Sequence, residues 1–197
     1  IKYRFLNLYS ENFNFIILSI FLIRLLYVLL NDSTTGDLPF YSEISNGIIN
    51  GCGIGTISQD GDCFKIVGHF FPGFFYLLAL SNLSGAGVKG LVILISIFGF
   101  FASIFLASTI KKYTKNINLS KCTFILISLS PLTLGWSRFI LIEPIITNLG
   151  ICFLSFFICS FYEGLTKKNL LVLLILQIIS IYIKPTSIIF SIPFFIL

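Results

Sequence analysis

Two carboxylic acids stand at the edges of long apolar runs in this chain. Asp37 lies in NDSTTGDLPFYSEISNGIING (residues 31–51) and Glu143 in SRFILIEPIITNLG (137–150). An acid at the border of a membrane is costly to keep charged, so it is usually paired or used. Facing one cavity, two carboxylates can divide the work. One takes a proton as general base, and the other orients a substrate or a divalent metal ion. Cations occupy comparable places: Arg24 in the first apolar run, His69 before Phe70-Phe71-Pro72, Arg138 before Glu143, and Lys184 before Pro185. A guanidinium fork or an ammonium group suits an anionic phosphate. Tyr41 and Gly51, in the same loop as Asp37, complete the set of residues on which function is expected to fall.

Each has a structural reading too. Asp37 stands at the N-cap of a helix beginning at Leu38. Glu143 can pair with Arg138 and anchor the loop. Arg24 can snorkel toward outer headgroups. A lone histidine such as His69 more often meets a headgroup than serves as a ligand. Lys184 reads equally as a membrane anchor or a phosphate contact.

What must hold these residues is a membrane. The chain of 197 residues is 56% hydrophobic and only 11% charged, with mean hydropathy +1.00. A soluble domain needs a surface with roughly 25% charged residues. Several runs approach the ~20 apolar residues that cross a bilayer core, and the short alternating segments of a barrel are missing. The fold class is therefore all-α, a polytopic transmembrane helical bundle. The first run is too long for a cleaved signal and carries Arg24 inside it. With Ile1 at the start, no Met, and an apolar run at the end, the chain reads as the N-terminal part of a longer protein.

Charge orders the runs. Spans are expected at residues 13–30, 88–110, 122–136, 144–162 and 170–183, with an incomplete one at 186–197. The segment 70–80 is too short to cross. If it did cross, the basic cluster Lys111, Lys112, Lys115 and Lys121 would lie outside, against the positive-inside rule. It reads as an interfacial or re-entrant helix. Eight of the thirteen basic residues then lie inside and six of the eight acids outside, which places the N-terminus in the cytoplasm. The same sorting explains the net charge of +5 without nucleic acid. Residues 31–69 form an extracytoplasmic loop. Within it Leu38, Tyr41, Ile44 and Ile48 recur at helical spacing, predicting an amphipathic membrane-surface helix over 38–50.

Cys52 and Cys63 share this loop, so a disulfide there is plausible chemistry. Cys122, Cys152 and Cys159 fall in spans and read as small apolar residues. The glycines of GCGIGTISQDGDC follow no strand, which argues against a nucleotide loop.

The motif order resembles a known family. GDLPFYSEISNGIINGCG is similar to the first outer loop of polyprenyl-phosphate-sugar-dependent transferases, where an acid precedes a tyrosine, an amphipathic helix and a glycine. HFFPGFFYLLALSNLSGAG resembles their Pro-Gly apolar helix. SPLTLGWSRFILIEPIITNLG resembles their second acidic segment, and SIYIKPTSIIFSIPFF their basic-Pro segment. The family is the GT-C glycosyltransferases, of the protein mannosyltransferase and lipid A aminoarabinose transferase type. The likeness covers about 160 residues.

The resemblance implies a cell-envelope enzyme that moves a sugar, with inversion, from a polyprenyl phosphate to a glycan, lipid or protein acceptor on the extracytoplasmic face. Asp37 matches the catalytic base, Glu143 the second acid, and Lys184 the basic residue before proline. Tyr41, Arg24, His69 and Arg138 are the further candidates for contact with substrate. One departure is Phe71, where several relatives carry a basic residue before the proline matching Pro72; His69 or Lys65 would have to substitute. Metal dependence stays open, since two acids can work with or without a divalent cation. The alternative is a non-enzymatic membrane transporter or a glycan-pathway assembly protein, because intramembrane charges and broken helices also mark transport paths.

Overall fold

The computed structural model describes residues 11–30, 38–58, 60–65, 72–130, 133 and 142–195. The chain is mostly helical. In order come α1 (Glu11–Leu30), α2 (Leu38–Ile49), β1 (Gly55–Ile57), β2 (Cys63–Lys65), α3 (Pro72–Leu83), α4 (Gly87–Thr114), α5 (Ile117–Ser128), α6 (Ile142–Glu163), α7 (Lys167–Ile183) and a 3-10 segment, Pro185–Phe195.

Among the described residues three stretches are long and apolar enough to cross a membrane: Phe13–Leu30, Gly87–Thr114 and Ile142–Glu163. At ~1.5 Å rise per residue each reaches or approaches the ~30 Å bilayer core. Their outward faces stay apolar, with Phe15, Leu22, Leu94, Phe101 and Phe161 about half exposed or more.

Local chemistry sets the breaks. The α4 helix ends where Lys115 adopts the left-handed conformation (φ 55°) and its N–H returns to the Lys111 carbonyl. Asn116 then caps α5, accepting from the Leu119 N–H at 3.0 Å. Thr166 caps α7 in the same way, from the Asn169 N–H at 3.1 Å. Pro185 stops α7, as a residue ahead of proline is driven from helical to extended backbone; Lys184 sits at φ −150°, ψ 111°.

The helices alternate in direction, so their ends fall into two groups. At one end α1, α4, α5 and α6 meet. Lys121 Nζ lies 5.1 Å from the Phe13 ring centroid, Lys112 pairs with Glu163, and Tyr113 stacks on Tyr162. At the other end one core joins Val28 of α1, Ile44 of α2, Phe74, Phe75 and Leu78 of α3, Leu91, Val92 and Ile95 of α4, Ile142 and Ile145 of α6, and Ile183 of α7. The α3 helix stays within this end. Its first turn places Gly73 against Tyr182 and Ile183, and in its last turn the Ser81 hydroxyl donates to the Gly87 carbonyl at 2.6 Å.

Three features differ from the sequence expectations. The apolar stripe of α2 is turned onto the protein, with Ile44 and Ser45 fully buried and Tyr41 and Ile48 packed on the same core. Glu43 and Asn46 face outward. The aromatic wall of α3 takes up the surface that was expected to meet lipid headgroups. The α5 helix is a short apolar helix of 12 residues, while residues 131, 132 and 134–136 of the expected 122–136 span lie outside the described residues. Beyond Lys184 the chain winds as a 3-10 segment of 11 residues, where Pro185 and Pro193 each remove a backbone donor.

Candidate functional site

Glu143 stands in the first turn of α6, and Pro144 follows it. A proline is tolerated so early because the first-turn N–H groups have no intrahelical partner. A carboxylate there is also favoured by the positive end of the helix dipole. The Glu143 carboxylate accepts from the Lys184 ammonium through Oε1, and both side chains are about three-quarters buried. The second oxygen, Oε2, is buried without a partner among the described residues. Lys184 is delivered by the cap of α7, where its own N–H returns to the Ser180 carbonyl at 2.8 Å and its carbonyl accepts from the Ser187 N–H at 2.9 Å.

The segment from α2 to β2 gathers at the same end. Tyr41 packs edge-on to Phe74 at 5.3 Å between centroids and tilted on Phe75 at 5.6 Å. Asn82 Nδ2 donates to the Ser45 hydroxyl at 2.8 Å and ties α3 to α2. The α2 helix ends in a Schellman motif: the Gly51 N–H bonds to the Ile48 carbonyl and the Cys52 N–H to the Gly47 carbonyl, at 3.2 and 2.8 Å. Gly51 carries the positive φ of 84° that this stop requires. Its role in the structure is to end the helix.

Cys52 and Cys63 form the disulfide expected from their shared loop, with Cα atoms 5.3 Å apart. It closes an antiparallel hairpin in which Gly55 faces Lys65, Thr56 faces Phe64 and Ile57 faces Cys63. Cys122, Cys152 and Cys159 are free thiols.

Arg24 is placed unlike either expectation. Its side chain does not reach toward an outer surface; the residue is 1% exposed, inside the bundle. Nη1 donates to the Ser128 carbonyl at 2.7 Å and the Thr133 hydroxyl at 3.3 Å. Nη2 donates to the Ser96 carbonyl at 3.0 Å and the Thr133 carbonyl at 3.3 Å.

The structure therefore brings Glu143 to Lys184 and sets Tyr41 in the same core, while Arg24 lies apart in a polar junction of its own. Asp37, His69 and Arg138 lie outside the described residues. Among the described residues Glu143 pairs with Lys184; the pairing with Arg138 that the sequence also allowed falls on a residue outside them. Among the described residues no three His, Cys, Asp or Glu side chains cluster as metal ligands.

Sequence reasoning missed Asn148, whose Nδ2 donates to the Ile95 carbonyl at 3.1 Å, and Thr133 and Ser96 around Arg24. The signal was present as buried-type polar residues inside apolar runs, which are conspicuous because lipid leaves them no water to bond. No protein-family model, curated protein or solved structure matches this chain.

Proposed function

We propose that this chain is a membrane glycosyltransferase that moves a sugar from a polyprenyl-phosphate donor to an acceptor on the extracytoplasmic face, with inversion. The single observation that carries the reading is the Glu143–Lys184 ion pair. It unites the second acid of the family pattern with the basic residue ahead of proline, 41 residues apart in the chain. It does so at the bundle end where α2 and α3 also gather.

In this reading the Asp37 carboxylate takes the proton from the acceptor hydroxyl or amine. The acceptor atom forms its bond to the anomeric carbon as the carbon–oxygen bond to phosphate breaks on the opposite side. Negative charge grows on the departing phosphate, and fixed cations there lower the barrier. Lys184 supplies one such charge, held in direction by Glu143, with Arg138 and His69 as further donors. Tyr41 shapes the wall between α2 and α3. Arg24 leaves the set, because both its terminal nitrogens are committed to protein oxygens.

The membrane orientation belongs to the same proposal. The end rich in lysine lies in the cytoplasm by the positive-inside rule. The disulfide-bearing end lies in the oxidising compartment.

A transporter reading takes support from one observation, the cation buried inside the bundle. The experiment that separates the two uses purified protein in lipid nanodiscs and vesicles, offered radiolabelled polyprenyl-phosphate sugars. Loss of label from the lipid phosphate, with transfer to acceptor, supports the transferase. Intact donor together with uptake of labelled solute into vesicles overturns it.

A further inference from the structure

Arg24 is almost wholly buried, yet among the described residues no carboxylate pairs with it. What it meets is the open end of α5. That helix stops at Ser128, so its last four carbonyls have no donors within the helix. Inside an apolar bundle such groups must be satisfied by protein.

Three of the four take donors from beyond the helix. The Ile125 carbonyl accepts from the Leu129 N–H at 3.0 Å. The Ile127 carbonyl accepts from the Ser130 N–H at 3.3 Å and from the Thr133 hydroxyl at 2.7 Å. The Ser128 carbonyl takes Nη1 of Arg24 at 2.7 Å. A helix C-terminus carries the negative end of its dipole, which favours a cation at this place.

The other arm of the fork reaches α4 at the Ser96 carbonyl. Room for it comes from Gly99, where a Cβ would stand 2.8 Å from Nη2 of Arg24 and 2.8 Å from Oδ1 of Asn148. Ser96 lies nine residues into α4, which puts the α5 end ~14 Å below the start of α4 at 1.5 Å per residue.

We infer that Arg24 is a positioning residue whose guanidinium fork fastens the C-terminal end of α5 to α1 and α4, fixing the point from which the chain runs on to Arg138 and Glu143. The clamp itself stands independently of the proposed activity; only its consequence for catalysis rests on the transferase reading. A single ammonium has no planar fork to span both carbonyls, so Lys at this position keeps the charge and loses part of the bridge. Gln loses both.

Hydrogen–deuterium exchange on the whole protein in nanodiscs tests the clamp directly. In R24Q the amides of residues 124–133 exchange faster, on the order of tenfold, as expected for loss of one charge-assisted hydrogen bond. The amides of residues 100–110 in α4 keep their rates, and R24K falls between wild type and R24Q. Unchanged exchange at 124–133 in a folded R24Q overturns the inference.

If R24Q does not fold, R24K and T133V are read instead. Faster exchange confined to the α5 end supports the clamp, and unchanged or uniformly faster exchange overturns it. Where transfer is measurable, the clamp predicts a lower kcat at unchanged donor KM, with partial rescue by R24K. A raised donor KM at unchanged kcat would make Arg24 a phosphate contact and overturn the positioning role. A protein that shows the exchange pattern but no transfer keeps the clamp and loses the transferase reading.

Discussion

Glu143 and Lys184 close an ion pair between the first turn of α6 and the last residue before Pro185. Each member is set by its own helix end, so the pair acts as a joint between two helices as well as a charged site. Truncating one partner leaves the other partly buried and uncompensated, which is more damaging than loss of the pair as a whole. K184A or E143Q alone therefore lowers the unfolding midpoint, while the exchanged double variant E143K/K184E recovers it. Sugar transfer does not recover in the exchanged variant, because the cation no longer sits ahead of Pro185. Thermal unfolding and transfer rates on the same four proteins check this, and recovery of both together would reduce the pair to a structural tie.

The disulfide makes a count that chemistry can read. Alkylation of the denatured, unreduced protein is expected to label three cysteines, Cys122, Cys152 and Cys159. After reduction, all five react. Replacing Cys52 by Ser removes a loop closure worth about 3 kcal/mol in the chain-entropy account, and the loss is read as a lower unfolding midpoint. Five labelled cysteines without reductant would contradict the hairpin closure.

How much of this was legible beforehand depends on the kind of signal. The α1, α4 and α6 helices are plain in the sequence because an unbroken apolar run has few alternatives in a bilayer. The Cys52–Cys63 bridge is legible from shared loop membership. Three things were not. The apolar face of α2 has the same periodicity whether it meets lipid or protein, and only Phe74 and Phe75 of α3 decide between them. The destiny of Arg24 depends on where α5 stops, and a short apolar helix carries no mark of how deep its end will lie. The Glu143–Lys184 contact joins residues 41 apart, a distance at which local pattern is silent.

Gly51 offers a test that separates a helix stop from a site. At φ 84° an alanine costs about 1 kcal/mol, while asparagine tolerates the left-handed region better. G51A is expected to lower stability by that amount and G51N by less, with transfer per folded molecule unchanged in both. A fall in transfer without a fall in stability would return Gly51 to the functional residues.

Sidedness is open to labelling from either face. The proposed orientation puts a cysteine introduced at Asn46, exposed on α2, within reach of a membrane-impermeant maleimide added outside. A cysteine at Lys115, at the α4–α5 turn, reacts only after the membrane is opened. Labelling of the Lys115 position from outside reverses the orientation and removes the outer-face chemistry with it.

In the proposed transferase a carboxylate at position 37 removes the acceptor proton. The most direct measurement is the single-turnover rate of sugar transfer by D37N, with enzyme in excess over the polyprenyl-phosphate sugar. Asn keeps the size and a hydrogen-bonding cap but cannot take a proton, so transfer is expected to fall by a factor of roughly 10² to 10⁴ with donor binding retained. Transfer by D37N at the wild-type rate would contradict the account.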